Sequence, residues 1–440
     1  MSDVIVAIST ARGEGAVGIV RLSGSGADKV ASQLFYRKNF DFSTAEANKL
    51  YLGTVTAGRI SDKALAVIFK APKSYTGEDV IEFHLHGGRV ITEAVLEAAV
   101  NLGARPAEPG EFTKRAYLNG KISLSAAEGV EAIISADSAA EAVAAYRALG
   151  GELDRTIKRA EELLISAAAM TDVALDYPEE MVDDTKPQVR ETLIQVKGIL
   201  KSLIGTERDR KLVTDGISVV LAGLVNAGKS SLMNALCGAE RAIVTEYAGT
   251  TRDVLKERLE INGIKVTLSD TAGIREGAEG AEKIGIERAE NAYKGADLVL
   301  FVMDGAEPES AEERELYRKI SSKPNIRVMN KCDATAYPRQ ADVEVSALTG
   351  ENMRKLSQMI AEKAGIENAK TPPLIRERGL HAAKTALKAV EEAVAALDKA
   401  TPDCLAVDIK EALATLCSIT GEDASESVVT EIFSRFCVGK

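Results

Sequence analysis

The chain has 440 residues, too many for a single core, and implies about two to four domains. With 45% hydrophobic and 28% charged residues it has an ordinary globular composition, which excludes a disordered or fibrous chain. A formal net charge of −11 argues against nucleic-acid binding over the whole surface, so any RNA contact is expected to be local. The first residues, "MSDVIVAIST", carry no basic leader, and the longest apolar runs, such as "LVLFVM", fall far short of a membrane span. The cysteines at 237, 332, 404, 417 and 437 lie far apart without a CxxC pair. That spacing suggests neither a disulfide framework nor a zinc site, and a cytoplasmic protein is expected.

From Met1 to about Asn119, short β-branched runs ("VIVAI", "VGIVRL", "YLGTVTA", "LAVIF", "VIEFHLH") alternate with Gly, Pro and Asp. One helical pattern, "VITEAVLEAAVNLG", closes on Gly103 as a C-cap. The stretch Gly13-Glu14-Gly15-Ala16-Val17-Gly18 matches GxGxxG, but "IVRLSG" after it reads as a strand where a dinucleotide site needs a helix, so a hairpin loop is expected. His84 and His86 share a strand face without a third ligand in view. From about Leu124 the texture is Ala-rich helix, with Leu153, Ile157, Ala160 and Leu164 in one stripe. The stretch "LDYPEEMVDDTKP" should break it. A second helical block, about 376 to 436, has stripes Leu387/Val390/Val394/Leu397 and Leu405/Ile409/Leu413/Leu416, the latter opened by Thr401 and Pro402.

Between the helical blocks lies the strongest chemistry. The strand "GISVVLA" runs into Gly223-Leu224-Val225-Asn226-Ala227-Gly228-Lys229-Ser230, a full GxxxxGKS that opens the helix "SLMNALCG". Its glycines let backbone N–H groups wrap a β-phosphate, Lys229 neutralises β/γ charge, and the Ser230 hydroxyl suits Mg²⁺. In "AGTTRD", Thr251 is placed to reach Mg²⁺ and the γ-phosphate; "VTLSDTAG" ends a strand on Asp270, with Gly273 to sense the γ-phosphate. "IRVMNKCD" supplies Asn330, Lys331 and Asp333, whose carboxylate accepts from guanine N1–H and the N2 amine, a donor pair adenine lacks. "VEVSAL" adds Ser346 and Ala347 beside the base. The nucleotide set read from these motifs is Asn226, Ala227, Gly228, Lys229, Ser230, Ser231, Ala248, Gly249, Thr250, Thr251, Asp270, Thr271, Ala272, Gly273, Asn330, Lys331, Asp333, Ser346 and Ala347. GTP and Mg²⁺ are the implied ligands. Ile274 stands where Ras-type GTPases carry the Gln that orients water, so another group must do so.

These motifs, with "GIVRLSG", "SYTGEDVIEFHLHGG", "PGEFTKRAYLNGK", "EKIGIERA" and the terminal "IFSRFCVGK", closely resemble the bacterial tRNA modification GTPase family known as MnmE or TrmE over nearly the whole chain. The resemblance implies a multi-domain α+β fold. Residues 1–119 would form an α+β folate-binding-like and dimerisation domain, 120–211 and 371–440 a discontinuous helical domain, and 212–370 an inserted Ras-like α/β P-loop GTPase domain. It further adds Thr245, Glu246 and Tyr247 to the nucleotide set and implies a K⁺ ion held by Asn226, Thr245, Tyr247 and Thr250 where an arginine finger would otherwise act. Glu282 would position the water. A formyl- or methylene-tetrahydrofolate would meet Arg21, Glu78, Lys121 and Lys440, with Cys437 as a catalytic thiol. The implied activity, in a homodimer complexed with the FAD-dependent MnmG (GidA) protein, adds a (carboxymethyl)aminomethyl group at C5 of the wobble uridine of certain tRNAs, with FAD only in the partner and no membrane involved. The rival class is a ribosome-assembly or RNA-chaperone GTPase switch without base chemistry, but neither a KH-type GXXG module nor a basic tail is evident.

Overall fold

β-branched runs punctuated by Gly and Pro give the first sheet. A computed structural model of the chain describes residues 3–11, 13–176, 178–205, 207–242, 256–270, 295–366, 371–399, 401–421 and 426–440. They form two compact units, one of 1–131, 148–200 and 375–440, the other of 132–147 and 201–374. The first unit opens with β1 (Ile5–Ile8), β2 (Gly15–Ser23), α1 (Ala27–Leu34), β3 (Phe35–Tyr36), β4 (Tyr51–Ala57), β5 (Ile60–Phe69), β6 (Val80–Gly87), α2 (Arg89–Asn101), β7 (Arg105–Pro106) and α3 (Glu111–Leu118). The strands join in the order β3-β4-β5-β6-β2-β1-β7. Pairing is antiparallel except between β1 and β7. Val20 and Leu22 enter the core while Ile19 and Arg21 face the other side, the period-2 alternation of a sheet with one buried face. Val30, Ala31 and Leu34 of α1 and Val95 and Ala99 of α2 fill that core together with Phe35, Phe42 and Phe83. The GxGxxG stretch joins β1 to an antiparallel β2, the hairpin that the following strand requires. Helix α2 closes as expected, with Gly103 at φ 99° and Ala104 N–H donating to Ala99 O.

The chain continues as α4 (Leu124–Ser135), α5 (Ala139–Leu149), α6 (Glu152–Asp176), α7 (Pro178–Ile204) and α8 (Glu207–Thr214). The stripe Leu153, Ile157, Ala160 and Leu164 is buried on α6. Within "LDYPEEMVDDTKP" α6 ends at Asp176 and α7 begins at Pro178, the expected change of helix, although Pro187 at the end of that stretch sits inside α7.

The second unit follows as β8 (Ile217–Ala222), α9 (Lys229–Ala239), β9 (Arg241–Ala242), β10 (Lys256–Ile261), β11 (Ile264–Asp270), β12 (Leu298–Asp304), α10 (Ala311–Ile320), β13 (Asn325–Asn330), β14 (Val343–Glu344) and α11 (Met353–Ala364). Its sheet has the order β14-β13-β12-β8-β11-β10-β9, parallel from β14 to β11 and antiparallel at β10 and β9. Leu298–Met303 of β12 are buried throughout, as in a strand covered on both faces. Because β8 has β11 on one side and β12 on the other, the strand order reverses at β8 and leaves a crevice at its C-terminal end. Residues 132–147, placed by sequence in the first helical half, belong with this unit. Ala140 N–H donates to Gly263 O at 2.9 Å, Ala139 N–H donates to the Glu260 carboxylate at 3.0 Å, and Asp137 pairs with Arg258 and Lys265 at 3.8 and 3.6 Å.

The chain then returns to the first unit as α12 (Glu377–Ala396), α13 (Pro402–Thr420) and α14 (Glu426–Ser434). On α12 the seam is Gly379, Ala382, Ala383, Ala386, Ala389, Val390 and Ala393, with Leu387 and Val394 half-buried at its margin. Val390 and Leu397 of the expected stripe are buried, so the stripe lies on the packed face, and the alanines beside it widen the seam. Among the described residues no helix is long and apolar enough to cross a membrane.

Candidate functional site

The P-loop is built at the reversal point of the second sheet. Gly228 caps α9 with φ 86°, and a Cβ there would stand 2.2 Å from Asn330 Nδ2, so only glycine fits. The first amides of a helix have no carbonyl one turn back within it, so the start of α9, at Lys229, Ser230 and Ser231, is a ready-made cradle for phosphate. Lys229 is buried and its Nζ donates to the carbonyls of Gly223 and Leu224 at 3.1 and 2.8 Å, which bends the ammonium over the loop. Ser230 Oγ donates to Asp270 Oδ2 at 2.6 Å, bringing together two hard oxygen donors of the kind Mg²⁺ prefers. Asn226 holds a left-handed backbone at φ 69° and is exposed at the head of the loop.

The base-side residues converge on the same place. Asn330 is buried and ties the site together, its Nδ2 donating to Ala227 O at 3.0 Å while its Oδ1 accepts from Ala347 N–H at 3.1 Å. Lys331, at φ 63°, is anchored to Asp304 Oδ2 at 2.6 Å, a partner with no motif in the sequence to announce it. Ser346 is fully buried, and its Oγ accepts from Thr349 N–H at 3.1 Å. Asp333 is exposed, in the short turn Cys332–Ala334 after Lys331. The expected residues Thr245, Glu246, Tyr247, Ala248, Gly249, Thr250, Thr251, Thr271, Ala272, Gly273 and Glu282 lie outside the described residues, as does Ile274.

A second polar site forms where the chain's end meets its beginning. Val438 pairs with Pro109 in an antiparallel bridge. Gly110 N–H donates to Cys437 O at 3.3 Å, and Phe112 N–H to Lys440 O at 3.1 Å. Gly439 has φ 97°, and a Cβ there would meet Ile8 O at 2.5 Å; the tail passes this close to β1 because it carries no side chain there. Arg21 Nη1 lies 3.5 Å from Gly439 O. Lys121 crosses Gly77, and its Nζ donates to Pro72 O at 2.9 Å. Glu78 Oε2 accepts from Ser23 Oγ at 2.9 Å and Arg115 Nη1 at 3.0 Å. Arg21, Glu78, Lys121 and Lys440 are thus gathered around the loop 72–78 and the tail, with the exposed Cys437 three residues before the end.

Sequence reasoning missed the supports. Arg115 also binds Asp3 and Glu111 at 2.7 and 3.1 Å, and Arg105 reaches Glu111 at 2.6 Å. Burial works to raise the Glu111 carboxyl, but the bonds from Arg105, the Glu108 amide and Arg115 outweigh it and hold it below the ordinary carboxylate range. Glu82 is likewise held low: burial opposes, while the Arg21 charge and bonds from His84 and Arg21 prevail. The Glu111/Arg115 spacing reads as a surface i,i+4 pair. Only the closed sheet shows that both are buried. His86 Nδ1 bonds Asp62 Oδ1 at 2.6 Å. Among the described residues no group of three or more His, Cys, Asp or Glu is placed to hold a metal.

A parallel strand, a glycine-capped P-loop, an Asp-ended neighbouring strand and an NKxD turn at the sheet's reversal point define a P-loop domain of the guanine-nucleotide class. The profile described as "GTP-binding protein TrmE N-terminus" matches residues 4–121, and that described as "MnmE helical domain" matches residues 124–437. The chain belongs to the MnmE family of tRNA modification GTPases. It is 37% identical to the tRNA modification GTPase MnmE of Streptococcus pneumoniae, covering 100% of this chain and 99% of that protein. It is 39% identical to that of Aquifex aeolicus, covering 100% of both. Among solved structures, Era of Aquifex aeolicus bound to GDP.AlF4- is 27% identical over 39% of this chain and 66% of that one, with a TM-score of 0.28. The G domain of the T. maritima FeoB iron transporter is 28% identical over 34% of this chain and 98% of that one, with a TM-score of 0.27.

Proposed function

We propose that the inserted domain binds and hydrolyses GTP and that the chain, as a cytoplasmic homodimer with an FAD-dependent partner of the MnmG type, adds an aminomethyl or carboxymethylaminomethyl group at C5 of the wobble uridine of certain tRNAs. The carbon would come from a formyl- or methylene-tetrahydrofolate. The observation that carries this reading is full-length likeness to MnmE proteins.

Each residue has a physical task in it. Lys229 and the first amides of α9 hold the phosphates, and Asp333 accepts from the guanine edge. Ser230 and Thr251 would ligate Mg²⁺, with Asp270 holding its water shell. Asn226, Thr245, Tyr247 and Thr250 would supply the oxygens for K⁺. The bound cations stabilise negative charge developing on the β/γ bridge. Glu282 orients the attacking water, the task Ile274 cannot perform. In the first unit, Arg21, Lys121 and Lys440 suit the glutamyl carboxylates of the donor, and Glu78 suits the pterin amine. Among the described residues the side-chain bonds of Glu78 fall on Oε2, which leaves Oε1 for such a contact. Cys437 would act as nucleophile or acid/base during one-carbon transfer.

Mass spectrometry of tRNA nucleosides from a strain lacking this gene, with and without the gene restored, tests the reading. Loss and recovery of the modified wobble uridine is expected. Unchanged nucleosides beside a ribosome-assembly defect would overturn it in favour of a GTPase switch.

A further inference from the structure

Arg21 and Glu82 stand opposite each other on the antiparallel strands β2 and β6, and the guanidinium is restrained on several sides. Its Nε donates to Glu82 Oε1 at 2.7 Å. Its carbon lies 5.8 Å from the ring centre of Tyr75 and 5.5 Å from that of Phe112. Those rings are themselves fixed: the Tyr75 hydroxyl bonds Thr113 Oγ1 at 2.8 Å, and Phe112 is fully buried with its N–H on the Lys440 carbonyl. The remaining Glu82 oxygen, Oε2, is braced by His84 Nε2 at 3.0 Å. Among the described residues Arg21 Nη1 has only the long contact to Gly439 O, and Nη2 has no protein acceptor.

The direction of the Glu82 contact matters. A carboxylate gripping both Nη atoms would occupy the fork that binds a second carboxylate. Glu82 instead takes the Nε edge, so it fixes the plane and leaves the fork available. An unbraced arginine would surrender rotamer entropy on binding. Here that ordering is complete before a ligand arrives.

We propose that Glu82, braced by His84, is the positioning residue for Arg21, presenting its open Nη edge to a carboxylate of the one-carbon donor. The inference rests on the folate reading given above. Glu82 touches no ligand in this scheme and acts only through Arg21.

The test is calorimetric titration of 5-formyltetrahydrofolate into the full chain and its variants. Glu82→Gln should weaken binding about tenfold, the loss of one charge-assisted contact, with GTP hydrolysis unchanged and the thermal midpoint modestly lowered by loss of the Arg21 ion pair. Glu82→Asp should recover part of the loss. In an Arg21→Gln background, adding Glu82→Gln should change affinity less than about twofold, because a residue acting through a partner has no effect once that partner is gone. Wild-type affinity in Glu82→Gln, or a full additive loss in the double variant, would overturn the positioning role. If Glu82→Gln loses its folding transition, His84→Ala removes only the brace; a smaller loss of affinity is then expected, and unchanged affinity overturns the proposal. No binding by the wild-type chain would instead remove the folate reading, and the proposal with it.

Discussion

In the proposed GTP site a single carboxylate, Asp333, would decide which base is accepted. No hydrogen bond engages it among the described residues, while its neighbours Asn330 and Lys331 are spent on bracing the P-loop and Asp304. Asp333→Asn should therefore leave the site standing, cut GTP affinity about 100-fold, and favour xanthosine triphosphate, whose extra carbonyl accepts from the new amide. Competition binding with the two nucleotides checks this, and unchanged GTP preference would remove Asp333 from the base site. Other single residues set the acid limit of the first unit. Glu82 and Glu111 are held below ordinary carboxylate values in the folded chain, so the unfolded chain binds more protons in that interval. Their stabilisation is fully present above the unfolded value, about 4.3, and is lost as pH falls through the depressed folded values. Thermal melts should be flat near neutrality and drop on acidification below about pH 4. Glu111→Gln should lower the neutral plateau, since Arg105 and Arg115 lose a partner, and should make the acid slope shallower.

Among the elements, those with long or strictly periodic patterns were legible. The strands β1, β2, β4, β5 and β6, the P-loop strand and helix, and the α6 stripe follow from period alone. Short α1 and α3 did not, because eight residues make barely two turns and α3 buries Glu111 and Arg115 on its inward face, against any apolar template. On α12 the stripe was only partly legible: Val390 and Leu397 are buried as expected, but the alanines that complete the seam are weak in a hydrophobic pattern, while Leu387 and Val394 stay half-buried. Pro187 inside α7 shows a tertiary context overriding a local breaker. For the sites, contiguous motifs were readable but their supports were not: Asp304, Glu82 and Arg115 come from other strands and helices, and only register brings them in. Helix α14 gives the element-scale prediction. Phe433 packs with Leu124, Ala127, Val429 and Phe436, and its ring lies 6.2 Å from that of Tyr117. Phe433→Ala should cost about 3–5 kcal/mol of local stability. Amide exchange should then accelerate in 426–440 but not in β8 or β12; equal acceleration everywhere would mean that α14 unfolds only with the whole unit.

On the scale of the whole molecule, the two proposed sites fall in two different compact units. The GTP residues belong to 132–147 and 201–374, while the tail, Arg21, Glu78 and Lys121 belong to the unit that contains both chain ends. That division makes Cys437 separable from GTP hydrolysis. Its carbonyl, not its thiol, anchors the tail, through Gly110 N–H, and its side chain is exposed. A small apolar plug would be buried, so packing offers little reason for a thiol here. Cys437→Ser keeps the backbone bonds to Gly110 and Phe112 and nearly the same volume. It should leave dimerisation, thermal midpoint and GTP hydrolysis within error of wild type while abolishing wobble-uridine modification, because a hydroxyl is a far weaker nucleophile than a thiolate. The measurement is nucleoside mass spectrometry of tRNA incubated with purified protein, the flavin-dependent partner and a folate donor. Normal modification by the serine variant would end the catalytic role and leave the tail with one task, holding Lys440 and Gly439 beside Arg21.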